Sequence, residues 1–123
     1  MVMDGQGGGI GRVIIKKLRD ANSVATSQMM KAGANRGATG ENAIINMAPE
    51  VDVIIGPLAI IMANSMMGEV TPGMSQAVST STALKILIPL TQERAKIVGV
   101  SGEPLPHLID KVIEIIKEGK INV

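Results

Sequence analysis

Apolar positions along the chain form short β-branched runs that alternate with stretches of helical period, and this alternation predicts an α/β fold. Met1, Val2, Met3 and Asp4 read as the end of a first strand, followed at once by a glycine-rich loop from Gly5 to Gly11. From Ile10 to about Asp20, Val13, Ile14, Ile15 and Leu18 alternate with basic residues as in a helix. Ser23 is placed to cap a second helix that runs through Met29 and Met30 and stops at Gly33. Thr39 is placed to cap a third, with Glu41 near its positive end and Pro49 beyond its finish.

The run Val51, Asp52, Val53, Ile54, Ile55 is a buried-strand candidate, ended by Gly56 and Pro57. Residues 58–67 are expected to form an apolar helix with Gly68 as its stop, and Thr71-Pro72 opens a further helix reaching about Ser79. Residues 85–89 and 96–100 read as two more strands. Their link, 90–95, is too short for a crossover, so this pair is expected to be an antiparallel hairpin. The last helix is the clearest: Leu105, Leu108, Ile109, Val112, Ile113 and Ile116 share one face, and Gly119 ends it. Together these elements predict one domain over 1–123, a three-layer Rossmann-like fold with a mostly parallel sheet. One step breaks the doubly wound pattern: after the first helix, Asp20 to Ser23 passes straight to another helix with no second strand between.

Composition narrows the chemistry. The 123 residues contain no Phe, Tyr, Trp or Cys, although 46% are hydrophobic and nine are Met. Ordinary usage would supply about ten aromatics in this length. A tyrosine acid, a cysteine nucleophile, an aromatic stacking platform, thiolate zinc sites and disulfide frameworks are all excluded. No metal site is read from the sequence. Twelve Lys+Arg against eleven Asp+Glu give a formal charge of +1, and the basic residues are scattered apart from Arg12, Lys16, Lys17 and Arg19. This balance argues against nucleic acid as a partner. No apolar run reaches the roughly 18 residues of a membrane span, and the start lacks the pattern of a signal peptide. With the missing cysteines, this favours the cytoplasm.

Five of the fourteen glycines lie between Gly5 and Gly11, after a strand and before a helix, which is the context of a phosphate loop. Glycine allows positive φ and close approach, while free amides and the helix dipole attract an anion. Gly5, Gly9 and Gly11 make G-x-x-x-G-x-G, which resembles the loop of short-chain dehydrogenases; Gly5, Gly8 and Gly11 make a looser G-x-x-G-x-x-G. The strict G-x-G-x-x-G is absent, and no Lys-Ser/Thr pair follows for a Walker loop. The alternative is a glycine-rich turn that only permits tight strand–helix packing. Dehydrogenase catalysis needs a Tyr, and there is none. Asp4, just before the loop, has three readings: a metal ligand, a brace that bonds loop amides, or a contact to a ribose or base.

The candidate ligand-binding residues are Asp4, Gly5, Gln6, Gly7, Gly8, Gly9, Ile10 and Gly11, with Thr39, Gly40, Glu41 and Asn42 at a helix start and Gly56-Pro57 at a strand's carboxyl end. Asp4 and Glu41 are the candidate acid–base groups. The plainer readings are that Thr39 is a cap, Glu41 complements a helix dipole and Gly56-Pro57 is a turn. Asn64 suits a core or subunit contact, the single histidine, His107, an ordinary surface position, and the methionines core filling. The expected ligand is a nucleotide, such as NAD(P), or another phosphorylated small molecule. The alternative is a non-catalytic sensor or assembly protein, in which the apolar helix 58–67 joins copies into a homo-oligomer. The sequence names no reaction.

Several blocks of the chain, taken in order, resemble one family. They are residues 4–11 (Asp4 to Gly11), Ala25-Thr26-Ser27 with 30–34, residues 37–44, Ile54-Ile55-Gly56-Pro57, Gly68-Glu69-Val70-Thr71-Pro72, and 85–89. The family is a small bacterial one of about this length, known as a domain of unknown function. The resemblance implies a Rossmann-like domain and brings no activity, substrate or catalytic residue with it. It also implies a second strand between the positions of Asp20 and Asn22, where this sequence departs.

Overall fold

In the computed structural model, residues 1–5, 9–18, 37–90 and 94–118 are described. Strands β1 (Val53–Pro57) and β2 (Leu84–Ile88) pair in parallel, from Val53 opposite Leu84 to Pro57 opposite Ile88. The N-terminal segment joins the other edge of β1 through a parallel bridge between Val2 and Ile55. There Met3 N donates to Ile55 O at 2.8 Å, and Ile55 N donates to Met1 O at 2.9 Å. The expected first strand is therefore a single bridge, and the parallel order is N-terminal segment, β1, β2. Parallel neighbours require a crossover. Between β1 and β2 it contains helix α3 (Pro72–Thr80); α1 (Gly9–Leu18) and α2 (Glu41–Met47) precede β1, and α4 (Leu105–Lys117) follows β2.

Both faces of this sheet are covered, which is why its strands are apolar runs rather than alternating ones. Val2, Ile55, Ile86 and Ile88 point to one face and pack with Ile14 and Ile15 of α1 and Ile109, Val112 and Ile113 of α4. Met3 and Ile54 point to the other, among Ala48, Ile60, Val78 and Ala83. The six apolar positions expected along α4 all face this core, three buried and three partly so. Each fully buried isoleucine, such as Ile14, Ile15 or Ile109, contributes about 1.5–3 kcal/mol through removal from water. Helix α3 begins as expected: Pro72 is its first residue, and Thr71 Oγ1 accepts from Met74 N at 3.2 Å.

Three expectations are corrected. Residues 58–67 do not form an α-helix: a 3₁₀ turn, Leu58–Ile61, gives way to successive turns through 69. The run is apolar on all sides and has no polar stripe to select a helical period, while its two polar residues are drawn into backbone bonding. Ser65 Oγ donates to Ala59 O at 2.6 Å, and Asn64 N donates to Val70 O at 2.7 Å. The oligomer-forming helix thus has no counterpart. Residues 96–100 form no strand, so the antiparallel hairpin is absent; Gly99 takes φ +87° in a turn that leaves Val98 fully exposed. Thr39 does not cap α2, whose N-cap is Gly40 at φ +98° with no side-chain bond. Gly56 and Pro57 lie at the carboxyl end of β1, as expected, but as its last two residues rather than after it. The expected second helix over 23–33, loop residues Gln6, Gly7 and Gly8, the departure near Asp20, and Gly119 lie outside the described residues.

Candidate functional site

Asp4 leaves the N-terminal segment just before the glycine loop, and its carboxylate is already in use. Oδ1 accepts from Gly5 N at 2.8 Å, and Oδ2 accepts from Gly11 N at 2.7 Å. Gly11 lies in the first turn of α1, where amides have no partner inside the helix and the dipole favours negative charge. Of the three roles open to Asp4, bracing the loop is the one built into these bonds. An incoming anion meets a carboxylate that already holds one helix-terminal amide. Gly9 and Ile10 begin α1, and Ile10 packs against the core shared with α4.

Beside this brace lies a cavity of about 500 Å³. Its walls come from the N-terminal segment, residues 38–40 with α2, Ile60, the turn 62–70 and α3. Of the residues expected from sequence, Asp4, Gly5, Thr39 and Gly40 line it. Glu41 and Asn42 do not: both are exposed, and Glu41 Oε1 accepts from Thr71 Oγ1 at 2.7 Å, tying α2 to the cap of α3. Gly56 and Pro57 are buried in β1 and do not line the cavity, although Gly56 adjoins Met3 and Ile60, which do. A Cβ on Gly56 would stand 2.6 Å from the Met3 carbonyl oxygen, so its glycine serves strand packing. His107 is exposed in the first turn of α4, and its amide donates to Pro104 O at 3.0 Å.

Sequence reasoning missed most of the apolar wall. Met1, Met3, Met47, Met66 and Met74 line the cavity, five of the nine methionines, along with Ile44 and Ile60. No periodicity distinguishes a methionine that faces a cavity from one that fills a core. Glu69 also lines it, and the clue available was its place just after Gly68. The turn that delivers Met66 and Glu69 is strained. Asn64, Met66 and Met67 have φ of 63°, 53° and 56°, and Gly68 follows at 85°. Left-handed backbone costs an ordinary L-residue roughly 1–2 kcal/mol, less for Asn, so two methionines there are a local expense that the surrounding bonds must hold in place. Val70 N donates to Ser65 O at 3.2 Å and Gly68 N to Asn64 O at 3.2 Å, closing the turn.

Among the described residues no group of three or more His, Cys, Asp or Glu is placed to hold a metal ion, and no helix is long and apolar enough to cross a membrane. A family model described as a domain of unknown function, DUF3842, matches residues 1–120. The chain belongs to this family. No curated protein and no solved structure matches it. Every residue named above as lining the cavity falls inside the DUF3842 match, so the cavity is part of the family's domain.

Proposed function

We propose that this chain is a Rossmann-like domain that binds a nucleotide or another phosphorylated small molecule, with the anion taken at the glycine loop 5–11 and the organic body in the adjoining cavity. The observation that carries this reading is the cavity itself. It reaches the carboxyl end of the N-terminal segment, where Asp4 and Gly5 lead into the loop, and brings Thr39 and Gly40 to the same place from over 30 residues away. The carboxyl ends of parallel strands are where open α/β sheets bind ligands. Support also comes from the strand order, in which the first segment neighbours β1 and β1 neighbours β2, with helices against both faces. That order matches one half of a doubly wound sheet.

Binding without catalysis is the form of this reading that the side chains favour. The two candidate acid–base carboxylates are both engaged, Asp4 with two amides and Glu41 with Thr71. The absence of cysteine suits a cytoplasmic location. A thermal-shift panel of NAD, NADP, ATP, GTP and S-adenosylmethionine at millimolar concentration tests the proposal. A ligand present at a hundred times its Kd stabilises by about 2.7 kcal/mol. For a chain of 123 residues that corresponds to a rise of roughly 10 °C in Tm. No stabilisation by any member of the panel sinks the nucleotide form of the reading.

A further inference from the structure

The cavity's charge and its strained wall point to which part of a ligand it takes. Its described lining holds two carboxylates, Asp4 and Glu69, and no Lys, Arg or His. Asp4 is committed to Gly5 N and Gly11 N. Glu69 is exposed, and its carboxylate makes no hydrogen bond or ion pair within the described structure. The turn 62–70 nevertheless brings Glu69 Oε2 to 3.6 Å, and Met66 Sδ to 3.3 Å, from where a Cβ on Gly5 would stand. The left-handed residues Asn64, Met66 and Met67 lie in that same turn. Backbone held in such conformations concentrates where a side chain must be aimed. A phosphate entering here would face two negative charges with no cationic side chain of the described lining to offset them. A neutral body bearing O–H or N–H donors would meet a free acceptor and a methionine wall.

We infer that this cavity takes the uncharged, donor-bearing part of the ligand, a nucleoside moiety, and that Glu69 is its specificity-determining residue. The carboxylate accepts hydrogen bonds from ligand hydroxyl or amino groups, while Met3, Met47, Met66 and Met74 close on the ring. The identity of the moiety rests on the nucleotide reading above; the exclusion of phosphate from the cavity does not.

The test measures calorimetric affinities of the four common ribonucleosides, their triphosphates and inorganic triphosphate for wild type, Glu69→Gln and Glu69→Ala. Far-UV circular dichroism confirms that each variant folds. At least one nucleoside is expected to bind without any phosphate. Glu69→Ala should weaken that nucleoside and its triphosphate by a similar factor, roughly tenfold or more, as expected for losing hydrogen bonds to a charged group. Glu69→Gln should fall between, and inorganic triphosphate should be unaffected. Unchanged nucleoside affinity in Glu69→Ala overturns the inference, and so does tighter triphosphate binding, because that places the phosphates in the cavity. If triphosphates bind while nucleosides do not, the inference fails and the nucleotide reading stands. If nucleosides bind and their phosphates add nothing, the inference stands and the phosphate half of the proposed function fails. If wild type binds neither, both are overturned.

Discussion

Gly56→Ala probes the contact that joins the N-terminal segment to the sheet. The added methyl would stand 2.6 Å from the Met3 carbonyl oxygen and 3.0 Å from Ile60 Cδ1. Ile60 is buried and packed, and the oxygen belongs to backbone, so neither neighbour moves cheaply. Relief requires the segment to draw away from β1, which stretches the bonds Met3 N to Ile55 O and Ile55 N to Met1 O. Overpacking of a core costs about 1–3 kcal/mol, and two weakened hydrogen bonds add about 0.5–1.5 kcal/mol each. The stiffer unfolded chain returns only about 0.4–1 kcal/mol. The net expectation is a loss of about 2–4 kcal/mol, or roughly 8–15 °C in Tm for a domain of this size. Because the chain has no Trp, Tyr or Phe, intrinsic fluorescence reports nothing, and urea unfolding has to be followed by far-UV circular dichroism. Gly102→Ala is the control: nothing lies within 4 Å of its added Cβ, so it should stay within about 0.5 kcal/mol of wild type. A Gly56→Ala protein as stable as that control would refute the packing argument. If such a protein also lost ligand affinity, Gly56 would belong to the binding site instead.

Three further perturbations have defined outcomes. Asp4→Ala removes both loop bonds and the charge at the start of α1, and should cost about 1–2 kcal/mol in urea unfolding; a neutral result would mean that Asp4 is not a brace. Ser81 is buried, donates to Ala48 O at 2.6 Å and accepts from Ala83 N at 3.0 Å, so Ser81→Ala should cost about 1–3 kcal/mol by leaving both groups unpaired. Glu103 has its carboxyl held below the ordinary carboxylate range, chiefly by the hydrogen bond from Lys111 Nζ at 2.5 Å. Its folded value is depressed, so the contact's contribution is present above the unfolded value and is lost as pH falls through the folded one. Lys111→Met should move the Glu103 titration upward in a carboxyl-detected NMR experiment, and an unmoved curve would exclude Lys111 as the cause.

The elements legible in the sequence are those with one consistent instruction. In α4 six apolar residues repeat at helical spacing, and Thr71-Pro72 marks the start of α3 by capping and fixed φ together. The runs Val53-Ile54-Ile55 and Ile86-Leu87-Ile88 are β-branched or aliphatic on both sides, as a parallel strand between two helical layers demands. Residues 58–67 gave no such instruction, because a largely apolar run fits a helix or a packed turn equally well, and local bonds from Ser65 Oγ to Ala59 O and from Asn64 N to Val70 O close the turns instead. In 96–100, Gly99 permits a turn that the β-branched neighbours do not forbid, and the turn formed. The candidate site was half legible. Asp4-Gly5 and Thr39-Gly40 announce themselves by glycine and polar groups at element ends, whereas Glu41 was claimed by Thr71, a partner 30 residues away that local sequence does not specify.

The two faces of the sheet differ in a way that bears on specificity. The face toward α1 and α4 is built from Ile and Val, whose χ1 is stiff and whose packing fixes a single arrangement. The face toward α2 and α3 carries Met3 in its core, with Met66 and Met74 packed against it, and this is the face that holds the cavity. Methionine is unbranched and adapts to irregular gaps, a property that elsewhere serves promiscuous binding surfaces. With no Phe, Tyr or Trp in the chain to stack on a ligand, these side chains have to conform to it. Replacing Met47 and Met74 by leucine keeps volume nearly constant, so stability should change by less than about 1.5 kcal/mol. The shape of the wall would then be set by branched side chains. The double variant should bind one ring size as well as wild type does and lose affinity for the other across a panel of purine and pyrimidine nucleosides. Equal losses for both would mean that the methionines only fill space.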